Sequence, residues 1–110
     1  MSQHIGHVWR VKDGCVDDYL RRHRTVWPEL EALLRDAGVV RYTIYLAGEL
    51  VFSHMEVRDY AHLVRHLASH PLAARWEEHF ADILEYPDAD PETGWPRCAI
   101  EVWTLGVDRG

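Results

Sequence analysis

Residues 17–34 read DDYLRRHRTVWPELEALL, and the rest of the chain is arranged around how this stretch folds. From Cys15 onward the apolar positions Val16 and Leu20, then Leu30, Leu33, Leu34 and Ala37, recur at helical spacing with Arg and Glu between them. Pro28 lacks the amide hydrogen that a continuing helix needs, yet it suits a first turn. The stretch therefore predicts two helical pieces with a kink or restart near Trp27, capped by Thr25 or Trp27. Gly38 closes the second piece as a C-terminal glycine. On the first piece Tyr19 and His23 stand four residues apart. That spacing is a rotation of about 400° and a rise of about 6 Å, so a phenol and an imidazole emerge on one face, one turn apart. An imidazole titrates near pH ~6.5 and can take or give a proton at neutrality. A neighbouring phenol can orient a small polar substrate or relay the proton, and Trp27, a further turn on, can wall the same cavity. The plainer alternative is packing, since both residue types are common on the half-buried flank of an amphipathic helix.

Working outward, residues 4–11 alternate Ile5, His7, Trp9 and Val11 against Gly6, Val8 and Arg10, which predicts a strand broken by Lys12-Asp13-Gly14. Val39 to Leu46 and Leu50 to Val57 are β-branched and aromatic runs joined by a short turn at Ala47-Gly48-Glu49, the pattern of an antiparallel hairpin. A second helical region starts at Asp59, a fair N-cap, and runs to about Ser69. Pro71 restarts it, with Trp76, Phe80, Ile83 and Leu84 as the apolar stripe. Residues 86–96, YPDADPETGWP, form a loop, and Cys98 to Leu105 predicts a final strand.

The order strand, helix, strand, strand, helix, strand gives an α+β, ferredoxin-like βαββαβ domain over residues 1–110. It has a four-stranded antiparallel sheet with helices on one face. Trp9, Phe52 and Trp103 are large rings that a one-sided helical cover would leave wet. A second copy covering the open face, as a homodimer, resolves this; a pocket lined by aromatics in a monomer is the other solution.

At 110 residues the chain can bury a sizeable core, and its 47% hydrophobic content argues against disorder. A formal charge of −6 disfavours nucleic acid or an anionic membrane surface as partner. No apolar run approaches the roughly 20 residues of a membrane span, and the N-terminus lacks a secretory layout, so the cytoplasm is expected. Two cysteines without CxxC spacing are expected as free thiols. His62, His66 and His70 recur at helical spacing, but no HExxH motif or acidic cluster completes a metal site, so a solvated face and no metal are expected. No nucleotide-binding or phosphate-binding glycine motif and no nucleophile elbow occurs. What is left is cofactor-free proton transfer on a small polar substrate.

The string YLRRHRTVWPELEALLRDAGVVRYTIYL resembles the L-rhamnose mutarotase family, whose members carry Y-x-R-R-H-x-x-x-W-P-E-L followed by a Y-x-I-Y-L strand. Tyr19, Arg21, Arg22, His23, Trp27, Pro28, Glu29 and Leu30 fall in register, and a weaker match runs through Arg75-Trp76 to the Glu101-Val102 strand. The resemblance implies a dimeric α/β barrel-type assembly of ferredoxin-like domains and a cofactor-independent isomerase that interconverts α and β pyranose anomers. It implies His23 as proton donor, Tyr19 and Tyr42 as sugar-binding phenols, and Trp76 as the first of a Trp-Trp pair against which the sugar rests. The second tryptophan is replaced by Glu77, a carboxylate that can accept hydrogen bonds from sugar hydroxyls or else turn outward. The substrate is then L-rhamnose or a related aldose. Two rival readings share the architecture: a cofactor-free monooxygenase and a module that binds a sugar without turning it over.

Overall fold

The computed structural model describes residues 2–106. Strand β1 (Gln3–Val11) leads into α1 (Val16–Arg22) and α2 (Pro28–Asp36), then the hairpin β2 (Val39–Ala47) and β3 (Leu50–Val57). Helices α3 (Tyr60–Ala68) and α4 (Pro71–Phe80) follow, then the short strands β4 (Leu84–Glu85) and β5 (Arg97–Ala99). The restart expected at Pro28 is real: Pro28 opens α2 and Trp27 is its N-cap, with extended backbone and no side-chain cap bond. Gly38 follows α2 at φ 101°, and Gly48 at φ 61° supplies the positive φ that the two-residue hairpin turn requires at its first position. Asp59 caps α3 by accepting from the His62 amide at 3.1 Å.

The sheet runs β2-β3-β1-β4 with β5 also on β1, every pairing antiparallel. This is the expected ferredoxin-like order with one correction. The place of the single final strand is shared by two short ones, β4 opposite Arg10–Val11 and β5 opposite Gly6–Val8. Ile83 and Leu84 accordingly lie beyond α4 instead of extending its stripe. The predicted strand from Cys98 to Leu105 stops at Ala99. Beyond that point β1 offers only Gln3–Ile5 as partners, and residues 100–106 run exposed and unpaired.

Register decides the two faces. His7, Trp9 and Val11 of β1 and Val51, Ser53, Met55 and Val57 of β3 are buried, whereas Val8, Leu50 and Phe52 are exposed. Trp9 is therefore covered at 5% exposure and does not belong with Phe52 on the open side, a second correction, and Trp103 lies exposed beyond the last strand. The core has two clusters, one around Trp9, Val11, Tyr19, Val51, Phe80 and Ile83 and one around Ala37, Val39, Met55, Val57 and Leu63. Leu20 is exposed, because the inward side of α1 runs through Val16 and Tyr19. No helix among the described residues is long and apolar enough to cross a membrane.

Buried His7 Nε2 is hydrogen-bonded to the Tyr60 hydroxyl at 2.8 Å, and the Cys98 thiol donates to the same oxygen at 3.7 Å. Burial lowers the His7 pKa to about 4. The unfolded chain, with an ordinary imidazole near ~6.5, binds more protons between those values. His7 thus contributes stability that is present above pH ~6.5 and lost as the pH falls toward 4. Melting temperature followed over that interval should drop more for the wild type than for His7→Phe; equal losses would show that His7 is not the group responsible.

Candidate active site

The pair on α1 is held together as its spacing requires. The Tyr19 and His23 rings lie 4.4 Å apart by centroid, and both pack on Phe80 of α4, at 5.8 and 4.7 Å. His23 meets the Trp76 ring edge-on at 6.0 Å, and Trp76 in turn meets Trp27 at 4.9 Å. Arg22 fixes this arrangement. Its guanidinium donates to the His79 carbonyl at 2.7 Å and forks onto both Asp82 oxygens at 2.7 and 3.2 Å, tying the end of α1 to the end of α4. The same contact holds the Asp82 carboxyl below its ordinary range.

His23 Nδ1 lies 3.0 Å from the Tyr19 carbonyl oxygen. A carbonyl only accepts, so Nδ1 carries the proton and Nε2 presents its lone pair in the neutral ring. Burial lowers the His23 pKa, opposed by that carbonyl bond and aided by nearby His79, so the neutral form dominates at pH 7.

Tyr19 is 3% exposed and belongs to the first core cluster. Burial raises its pKa, with Tyr42 adding to the rise. Tyr42 of β2, partly exposed, is pushed up to about 12, first by burial of its hydroxyl and also by the charge of Glu77. Glu77 is exposed as a residue, yet its carboxyl is crowded enough by protein to raise its pKa, and it is felt by both Tyr42 and Tyr86. It therefore faces the cluster, and with Tyr42 it marks where the cluster meets solvent. All six residues singled out from the sequence, Tyr19, His23, Trp27, Tyr42, Trp76 and Glu77, fall in this one region.

Sequence reasoning missed three members. Tyr86, after β4, stands 6.4 Å from Trp9, and its pKa is raised first by burial and then by its neighbours Glu77, Tyr19 and Tyr42. Trp9 and Ser53 form the sheet side, and their Nε1 and Oγ atoms are buried with no hydrogen-bond partner. Each such orphan costs about 1–3 kcal/mol. Nothing local in the sequence marks them, since strand alternation alone leaves open which face Trp9 takes and gives Ser53 no role.

Other features lie apart. Two cavities, of about 660 Å³ between Tyr60, Trp95, Asp90 and Cys98 and of about 310 Å³ beside Trp9, Leu50 and Pro87, are not lined by Tyr19, His23, Tyr42 or Trp76. The His62 and His66 rings stack at 5.8 Å, His70 lies tilted 6.1 Å from His66, and His70 uses Nδ1 to cap α4 by accepting from the Leu72 amide at 3.2 Å. Among the described residues no group of three His, Cys, Asp or Glu is placed to hold a metal ion.

Fold and site together define a class: a ferredoxin-like α+β domain that sets one neutral histidine among phenols between its sheet and its helices. Within that class the chain belongs to the L-rhamnose mutarotase family, whose model matches residues 4–105. An L-rhamnose mutarotase of Verminephrobacter eiseniae is 48% identical over 75 residues, covering 66% of this chain and 70% of that protein. The crystal structure of an L-rhamnose mutarotase from Formosa agariphila superposes with a TM-score of 0.73 at 25% identity, covering 94% of this chain and 99% of that one. The tetracenomycin F2 cyclase of Streptomyces glaucescens, a type-II polyketide cyclase, shares the fold alone, with a TM-score of 0.59 at 18% identity over 96% of this chain and 99% of that one.

Proposed function

We propose that this protein is a cofactor-independent mutarotase that interconverts the α and β pyranose anomers of L-rhamnose or a related aldose. The observation that carries the reading is His23, neutral, with Nδ1 committed to the Tyr19 carbonyl and its ring packed against the Tyr19 phenol. Family membership supplies the reaction class. Nε2 takes the proton from the anomeric O1–H; the C1–O5 bond breaks as the C1–O1 carbonyl forms, and the electron pair goes to O5. O1 and O5 are both bonded to C1, so the same imidazolium reaches O5 and hands it the proton. Rotation about C1–C2 presents the other carbonyl face, and the steps reverse to close the opposite anomer. The proton balance closes on one residue, which makes His23 base first and donor second. Tyr19 and Tyr42, with raised pKa values, stay protonated and act as hydrogen-bond donors to the oxygens that gain charge. Trp76 and Trp27 offer an apolar wall to a C–H face of the ring, and Glu77 accepts from a hydroxyl at the solvent edge.

Exchange between the two anomeric proton signals, measured by NMR with and without the protein across a panel of aldoses beginning with L-rhamnose, tests the reading. Acceleration for at least one sugar is expected; none would remove the enzymatic claim. The pH dependence follows from the form of His23 that acts. The unprotonated ring starts the reaction, so kcat/KM should be level through neutrality and fall on acidification, with a midpoint below the ordinary imidazole value of ~6.5. An acid limb centred above that value would contradict a neutral His23 at rest.

The same reading makes the protein a cytoplasmic homodimer whose partners are a sugar and a second copy, with neither nucleic acid nor membrane. The support for the dimer is the open sheet face. Val8, Leu50, Tyr45 and Phe52 are exposed there, with the Tyr45 and Phe52 rings stacked at 5.2 Å. Beyond β5, Ile100, Val102, Trp103 and Leu105 are 76–93% exposed, a largely apolar segment with no partner strand among the described residues. A second copy brings a partner for both.

A further inference from the structure

Two sheet residues behind the tyrosines carry polar atoms that packing does not explain. Trp9 is 5% exposed and Ser53 is 6%, and neither Nε1 nor Oγ has a hydrogen-bond partner. In the β1–β3 register Trp9 pairs with Val51 and Ser53 with His7, so the two residues share the helix-covered face, one strand and two residues apart. Each stands behind one phenol. Trp9 packs with Tyr19 in one core cluster, and Ser53 pairs with Ile44, which shares a face of β2 with Tyr42 two residues away; the Trp9 N–H and the Ser53 hydroxyl oppose the rise that burial gives the two phenols, without a well-formed hydrogen bond.

We propose that Trp9 and Ser53 are positioning residues that set the direction in which Tyr19 and Tyr42 present their hydroxyl protons to the sugar. This rests on the mutarotase reading above. An indole N–H can only donate. When the Tyr19 oxygen accepts from it, the Tyr19 proton has to point away from the sheet, toward the site. Ser53 donating to Tyr42 has the same effect on the second phenol. Neither residue touches the sugar or moves a proton.

The loose geometry matters because both contacts, weak in the free protein, tighten when a ligand draws the phenols into line. Hydrogen bonds that form as charge grows on O1 and O5 favour the transition state over bound substrate, which raises kcat and leaves KM little changed. A core that merely needed bulk at residue 9 would need no N–H there, and an alanine at residue 53 would leave no orphan.

The test is a pair of double-mutant cycles read by anomer exchange at varied aldose concentration. Trp9→Phe keeps an aromatic ring and removes the N–H; Ser53→Ala removes only the hydroxyl. Each should lower kcat about tenfold, the effect of one hydrogen bond, with KM within about twofold. In a Tyr19→Phe background Trp9→Phe should cost nothing more, and in a Tyr42→Phe background the same holds for Ser53→Ala. Ser53→Thr, which keeps the hydroxyl, should restore most of the rate. Wild-type kcat in the single variants, or losses that simply add, would overturn the proposal. If the wild type exchanges no aldose, the functional reading fails by itself, and the positioning claim is read from the Trp9 indole proton, identified by its loss in Trp9→Phe. Tyr19→Phe should shift that signal upfield; an unmoved signal overturns the claim independently of activity.

Discussion

Alanine at residue 23 should lower the rate of anomer exchange by about 10²–10⁴-fold, the usual contribution of one positioned acid–base group. The size follows from the proton path. O1–H and O5 are served by the same nitrogen, so removing the imidazole removes base and acid together and leaves water to carry both. The fold should survive, because His23 is half-buried and sits at the C-cap of α1, whose position is secured by Arg22 through Asp82 and the His79 carbonyl. Loss of ring contacts with Tyr19, Phe80 and Trp76 should appear only as a modest fall in melting temperature. NMR exchange spectroscopy on L-rhamnose reads the rate, and circular dichroism reads the fold. An alanine variant working at the wild-type rate would take His23 out of the mechanism.

Phe52→Glu should split the proposed dimer. Phe52 lies on β3 on the side away from the helices, 41% exposed in the single chain and stacked on Tyr45. If that face meets a second copy, a carboxylate there is stripped of water with no cation paired to it. The cost of several kcal/mol corresponds to about a hundredfold or more in dissociation constant. Sedimentation should report twice the chain mass for the wild type and the single mass for the variant. A Phe52→Glu protein that sediments with the wild type would place the contact elsewhere.

Features set by near neighbours in the chain were legible before any coordinates. The Pro28 restart, the Asp59 cap, the turn at Gly48 and the Tyr19–His23 pairing each depend on a few successive residues, and each is where its local chemistry demands. The strand order followed from alternation and short connections. Glu77 shows the limit of this kind of reading. Its place one residue after Trp76 left two directions open, and only the assembled chain brings its charge near enough to raise the pKa values of Tyr42 and Tyr86.

Other features hang on contacts between residues far apart. Trp9 went under the helices and Leu20 out to solvent because register and the docking of α1 choose the covered side, which alternation cannot do. The last strand divided into β4 and β5 because both had to share the single free edge of β1. Tyr86 joined the site, and Ser53 and Trp9 kept unpaired polar atoms, only through partners on other strands and helices. The amino-acid order by itself determined which residues could form each element and which two could handle a proton together. Which nitrogen of His23 holds that proton, and which groups stand behind the phenols, was decided by tertiary packing, because burial and hydrogen-bond pairing belong to the assembled chain and not to any stretch of it.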